Sequence, residues 1–223
     1  MRILNYLAVF VMATLAASCA QEPTIDTGPD AEVILDRLHR VQNARVRQAF
    51  VDPNVDFGQF TSVLIDPLNV SDVDIQQPDR GASGRGKWEL TETDQERLQQ
   101  AFAESMRREF EERGQYSVVT EPGDEVLRIS AALTGLAPSA SQDSSRNRTS
   151  GRTRVYTEGA GSVAVSVVLM DSQSGEPLAV MKDVRRAGTT WGRNNSVSNM
   201  SDVRLVFNSW ARTLRARLDL FHD

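Results

Sequence analysis

Ser162–Arg186 reads SVAVSVVLMDSQSGEPLAVMKDVRR. Val163, Val165, Val167 and Leu169 alternate with Ala164, Ser166, Val168 and Met170, a period of two that a strand shows and a helix does not. Asp171–Gly175 interrupts the alternation with five turn residues, and Gly175 supplies the positive φ that such a loop needs. Pro177–Arg186 then returns as the partner strand. The stretch therefore predicts an antiparallel hairpin.

Upstream, Val126–Leu136 is a further strand with Leu127, Ile129, Ala131 and Leu133 on one face. Ser62–Val70 (SVLIDPLNV) is apolar on both faces at Val63–Ile65, as a central strand would be, and Pro67 should end it. Tyr116–Thr120 makes a short fifth strand. Two amphipathic helices stand out. The first opens at Thr91, which forms a capping-box pattern with Asp94; Leu98, Phe102, Met106 and Phe110 follow at four-residue spacing, flanked by Ala101 and Glu109, and Gly114 is the expected stop. The second is Val203–Phe221, with Val203, Phe207, Trp210, Leu214, Leu218 and Phe221 on one stripe, which reads as core. A third helix is expected over Ala31–Phe50, capped by Asp30, with Ile34, Leu38 and Val41 on one face and Arg40, Arg45 and Arg47 toward its C-terminal end. Ser71–Lys87, Ala137–Gly161 and Gly188–Asn199 are polar loops. The predicted class is α/β (α+β): a two-layer sandwich with a mixed, mostly antiparallel sheet of about five strands and two long helices on one face.

The N-terminus states an address. Met1–Arg2 is a short positive start, Tyr6–Met12 is apolar, and Ala16–Ala17–Ser18 are small residues before Cys19, the one cysteine of the chain. A small-residue run ending in cysteine resembles the lipobox of bacterial lipoproteins, with Leu15 one place before the usual leucine position. The resemblance implies cleavage before Cys19, a diacylglyceryl thioether on its sulfur and a fatty acid such as palmitate on the new amino terminus. Ala20 rather than aspartate after Cys19 implies the outer membrane, with the domain on the periplasmic face. The expected organisation is a signal peptide at 1–18, a lipidated tether at 19–30, the helix at 31–50 and a single α/β domain at 51–223. Gln21–Asp30 (QEPTIDTGPD) is expected to be extended and mobile.

Phe50–Leu68 reads FVDPNVDFGQFTSVLIDPL. With the Thr91–Gly114 helix, the Asp171–Ala179 turn (DSQSGEPLA) and a terminal helix carrying Trp210, it resembles a lipoprotein family known as domain-of-unknown-function family 3313 over residues 50–221. Phe60 stands where that family more often has tyrosine. The resemblance implies a location and a fold; it brings no catalytic residues.

Net charge is −5, which argues against a nucleic-acid footprint. Gly81–Lys87 (GASGRGK) has P-loop spacing, yet Trp88 stands where the Mg²⁺-binding hydroxyl belongs, so neither nucleotide nor cofactor is expected. His39 and His222 are far apart in sequence, Asp72 and Asp74 lack a calcium loop's glycine and distal glutamate, and no metal site is expected. Arg146, Arg148, Arg152 and Arg154 share one loop and could hold an anionic partner such as a lipid headgroup or a cell-wall carboxylate. No nucleophile elbow is present. The expected function is a non-enzymatic, membrane-held interaction module whose partners are the membrane, through lipid on Cys19, and an envelope protein, lipid or cell-wall component. The alternative is a carrier of a small molecule or lipid.

Overall fold

The hairpin is the spine of a ten-stranded sheet. The computed structural model describes residues 21–77, 88–139, 156–158, 161–188, 191–193 and 196–222. Strands β1 (Thr24–Ile25), β2 (Val33–Ile34), β3 (Leu38–Gln42) and β4 (Gln48–Val51) come first, followed by β5 (Ser62–Ile65) and β6 (Asp74–Ile75). Helix α1 (Glu92–Arg107) runs on into a π-helical turn, Arg108–Glu112. Then come β7 (Ser117–Val119), β8 (Val126–Pro138), β9 (Tyr156–Glu158), β10 (Gly161–Asp171), β11 (Pro177–Ala187), β12 (Trp191–Arg193) and helix α2 (Ser196–Leu218), which closes with a 3-10 turn, Asp219–Phe221.

The sheet order is β1-β3-β4-β11-β10-β8-β5-β7, with β2 also on β3 and β6 also on β8. It is open, and β9 and β12 form a separate two-stranded ribbon. All five expected strands are present, but five more join them, so the count of about five is corrected to ten. The added strands, β1–β4 and β6, are two to five residues long, too short to leave a periodic signal. The β10–β11 and β10–β8 pairs are antiparallel, whereas β5 lies parallel to both β7 and β8. β5 lies one strand in from the edge, flanked by β7 and β8, and buries both faces: Val63 is fully buried and Leu64 is buried opposite it.

Residues 31–50 are not a helix. They form β2, β3 and β4, and β4 pairs with β11 from Val51↔Ala179 to Gln48↔Lys182. Ile34, Leu38 and Val41 do have helical spacing, but β11 would otherwise end the sheet with a row of unpaired amides and carbonyls. Those long-range bonds outweigh the local pattern. A type I′ turn joins β2 to β3, with Leu35 at φ 51°, Asp36 at φ 60° and the Arg37 amide donating to the Ile34 carbonyl at 3.3 Å. Leucine at such a φ costs about 1–2 kcal/mol. The Gln21–Asp30 stretch is likewise no free tether: Thr24 and Ile25 pair with Gln42 and Val41, and the Asp26 amide donates to the Arg40 carbonyl at 2.8 Å.

Leu127, Ile129, Ala131 and Leu133 of β8, and Val163, Val165 and Leu169 of β10, share one core with the apolar stripes of both helices. Phe102 of α1 meets Phe207 of α2 edge-on at 5.6 Å. Thr91 caps α1 as its sequence predicts, accepting the Asp94 amide at 3.2 Å while Asp94 accepts the Thr91 amide at 3.3 Å. Phe221 departs from the expected stripe: it is half exposed, with its ring 5.3 Å from that of Phe57.

Gly161 opens β10 at φ 118°, and a Cβ there would lie 2.0 Å from the Ala137 carbonyl oxygen. Gly161→Ala is expected to cost roughly 2–4 kcal/mol, from the positive-φ penalty and the strand shift it forces. Urea unfolding would show this as a lower midpoint with an unchanged slope.

Candidate functional site

Where α1 and α2 begin, they stand apart over the end of the sheet and leave a cleft of about 90 Å³. Its floor is Leu136, Val163 and Ala187; Leu98 lines the α1 side, Met200 and Val203 the α2 side. Local devices place these residues. Gln77 holds the main chain of Trp88 from both sides, its amide donating to the Trp88 carbonyl at 2.8 Å and its carbonyl accepting the Trp88 amide at 2.9 Å. The capping box then fixes the first turn of α1. On β8, a bulge lies where Val165 pairs with Leu133 but Ala164 pairs with Gly135. The extra residue, Thr134, reverses the alternation, so Leu136 faces the helices in register with Val163. Polar groups sit at the rim: Glu89 and Asp94 carry negative charge, and no lysine or arginine lines the cleft among the described residues.

At the other end of the helices is a charged cluster. Glu109, in the π-helical turn, is 1 % exposed. Arg113 Nη1 lies 2.9 Å from it, Arg215 Nε 3.7 Å and Arg212 Nε 3.8 Å. Arg215 also pairs with Asp219, and Arg108 with Asn208. Gly114 lets the chain turn away here, because a Cβ would lie 2.9 Å from Arg215 Cδ and 2.7 Å from the Phe110 carbonyl oxygen. A second buried carboxylate, Asp183 on β11, accepts the Trp210 indole N–H at 2.8 Å, Arg185 Nε at 2.8 Å and the Arg47 amide at 3.0 Å. The Arg185 guanidinium lies 5.8 Å from the Trp210 ring centre. Glu109 ties the π-helical turn to Arg212 and Arg215 of α2, and Asp183 ties β11 to Trp210 of α2, so both carboxylates fix α2 in place. Trp210 is part of the core, as its stripe predicts.

Tyr116 is buried, and its hydroxyl makes no hydrogen bond to the described residues. Burial first, and the Asp219 carboxylate second, push its phenol from 10.0 up to about 12, with Arg215 opposing. A raised acid favours the neutral form in the fold. The stabilisation is therefore complete below pH 10 and is lost as pH rises from there through about 12. Tyr116→Phe is expected to remove that alkaline loss and to leave neutral-pH stability nearly unchanged, which unfolding midpoints across this range would measure.

Cys19, Arg146, Arg148, Arg152 and Arg154, like the GASGRGK stretch, lie outside the described residues. His39 is on β3, its Nδ1 2.9 Å from the Asp26 carbonyl oxygen, and His222 meets the Tyr116 ring edge-on at 5.4 Å. Asp72 is in an exposed turn beside Ser71, and Asp74 opens β6. No cluster of three or more histidine, cysteine or carboxylate groups able to hold a metal occurs among the described residues. None of their helices is long and apolar enough to cross a membrane. The cleft and the Glu109 cluster are the features that motif reading did not find. The bulge at Thr134 and the pairing of residues about a hundred positions apart carry no local sequence signal.

The family model described as "Protein of unknown function (DUF3313)" matches residues 32–214. No curated protein matches the chain. Among solved structures, a Xanthomonas campestris protein of family DUF330 is similar at 9% identity and TM-score 0.42, over 73% of this chain and 85% of that one. A PelC dodecamer from Paraburkholderia phytofirmans aligns at 11% identity and TM-score 0.36, over 70% and 90%. A homologue of the neuraminyllactose-binding hemagglutinin from Helicobacter pylori aligns at 12% identity and TM-score 0.32, over 72% and 81%.

Proposed function

Because the chain belongs to the DUF3313 family, whose description assigns no activity, we propose its function from its own residues: a lipoprotein anchored at the outer membrane, facing the periplasm, that serves as a non-catalytic interaction module of the cell envelope. Lipid on Cys19 supplies the anchor. Several acyl chains on one residue hold firmly where a single chain would hold only marginally.

The observation that carries the binding role is the size and lining of the cleft. At about 90 Å³ it falls well below the roughly 300–1,000 Å³ of small-molecule pockets. It has room for one or two side chains of a partner, not for a lipid. Apolar walls with Glu89 and Asp94 at the rim suit an apolar side chain next to a cationic one. Arg146, Arg148, Arg152 and Arg154 supply a second contact, to anionic headgroups or cell-wall carboxylates. The carrier reading draws on the same apolar lining, and the volume weighs against it.

The test is the protein isolated from its own membranes. A photo-crosslinker at position 200, on the cleft, is expected to give a discrete protein adduct that the same group at exposed position 205 does not. Organic extraction is expected to release no stoichiometric small molecule. An extracted lipid or metabolite at one per chain, displaced by Met200→Trp, would replace this reading with the carrier.

A further inference from the structure

We infer that the outer edge of the sheet, at Ile25, Val33 and Leu35, is a second membrane contact, lying on the lipid leaflet that holds the Cys19 anchor. The inference rests on the anchor proposed above. It starts from the ordering of the N-terminal segment, which leaves little tether. Cys19 stands five residues before Thr24, and Thr24 is already paired with Gln42 in β1. Five residues span at most about 17 Å when fully extended. The edge of the sheet that begins with β1 is thus kept within about 17 Å of the bilayer, close enough for its exposed side chains to reach lipid.

What it exposes is apolar. Ile25 and Val33 are each 41 % exposed and Leu35 is 60 % exposed. Ile25 lies opposite Val41 and Val33 opposite His39 on the same strand, β3. Their side chains therefore share one face, about 7 Å apart along the edge. Leu35 follows at the first central position of the I′ turn, where its φ of 51° is a conformation that favours asparagine or glycine. A large apolar residue held in an unfavourable conformation and in open solvent gains nothing from the fold; a lipid interface gives it a partner. The surrounding charge selects the lipid. Residues 21–42 carry five carboxylates, Glu22, Asp26, Asp30, Glu32 and Asp36, against Arg37 and Arg40. Arg37 and Arg40 are themselves paired, with Asp52 and Glu176 and with Glu32. The stripe is suited to zwitterionic headgroups and is repelled by anionic ones.

The experiment uses the full chain, made in cells with its leader and purified in the lipidated form. In that form the Cys19 sulfur is a thioether, so a cysteine introduced by Leu35→Cys or Leu205→Cys is the single thiol to carry an environment-sensitive fluorophore. The protein is placed in vesicles of phosphatidylethanolamine and phosphatidylcholine containing spin-labelled lipid. The expected result is quenching at position 35 with the label about 5–10 Å below the headgroup surface, weaker quenching when phosphatidylglycerol is added, and none at position 205 on exposed α2. Acylated, vesicle-bound protein with position 35 no more quenched than position 205 overturns the inference and leaves the anchor standing. Absence of acyl mass on Cys19 overturns both. Ready disulfide dimers through position 35 place a second copy on the stripe and overturn the inference as well.

Discussion

Glu109→Ala is expected to destabilise the domain by about 3–5 kcal/mol, a large share of the 5–15 kcal/mol typical of a folded domain. The reason lies in which arginine it leaves behind. Arg113 and Arg212 are 51 % and 62 % exposed, so water screens their share of the pairing. Arg215 is 19 % exposed, and it loses the carboxylate that faces it from the π-helical turn. Its guanidinium is left with Asp219 alone, in a site closed by Gly114 and the Phe110 carbonyl. Glu109→Gln keeps the shape and a hydrogen-bond acceptor and is expected to cost less. Combining Glu109→Leu with Arg215→Met is expected to recover much of the loss, because an apolar pair can replace a buried ion pair. Urea unfolding of the three variants reads this directly. If the double variant is no more stable than Glu109→Ala, the cost comes from lost packing and not from a stranded charge.

Phe207→Ala is expected to have an effect of similar size, about 3–5 kcal/mol. The ring is 1 % exposed and lies between the two helices. It meets Phe102 edge-on at 5.6 Å and an 87° interplanar angle, and lies 6.1 Å from the Trp210 ring. Such ring pairs add about 0.5–1.5 kcal/mol beyond buried area. The loss should therefore appear in Phe102→Ala too, and the double variant should lose less than the sum of the two, since both singles break the same pair. Thermal unfolding with near-ultraviolet circular dichroism would follow it. Additive losses would mean that the two helices do not rely on this contact.

The contrast between these two sites shows what local pattern can reveal. Phe102 and Phe207 stand out in the sequence because each lies on a four-residue apolar stripe whose period is set by the helix itself. Glu109 reads only as a flank of its stripe. It is buried because the π turn brings it inward and because Arg212 and Arg215 come down from a helix about a hundred residues further on. The strands divide in the same way. Val163–Leu169 and Leu127–Leu133 alternate strictly and are found where alternation puts them. Leu38, Ala49 and Phe50 are buried strand residues read as helix, because Ile34, Leu38 and Val41 happen to fall at helical spacing. What decides their structure is the exposed flank of β11, and no window of neighbouring residues contains it. Leu35 and Asp36 take the I′ turn without an asparagine–glycine pair to announce it. The cleft was half legible: Leu98 and Val203 lie on the expected stripes, but Leu136 joins them through a bulge.

The proposed anchor on Cys19 is tested most directly by intact mass with membrane flotation of wild type against Cys19→Ala. The expected wild-type product is a mature chain beginning at residue 19 with acyl mass on it, floating with membranes, whereas the Cys19→Ala protein lacks that mass and is either retained as uncleaved precursor or released. A wild-type chain cut elsewhere, free of lipid and soluble in the periplasmic fraction, would contradict it.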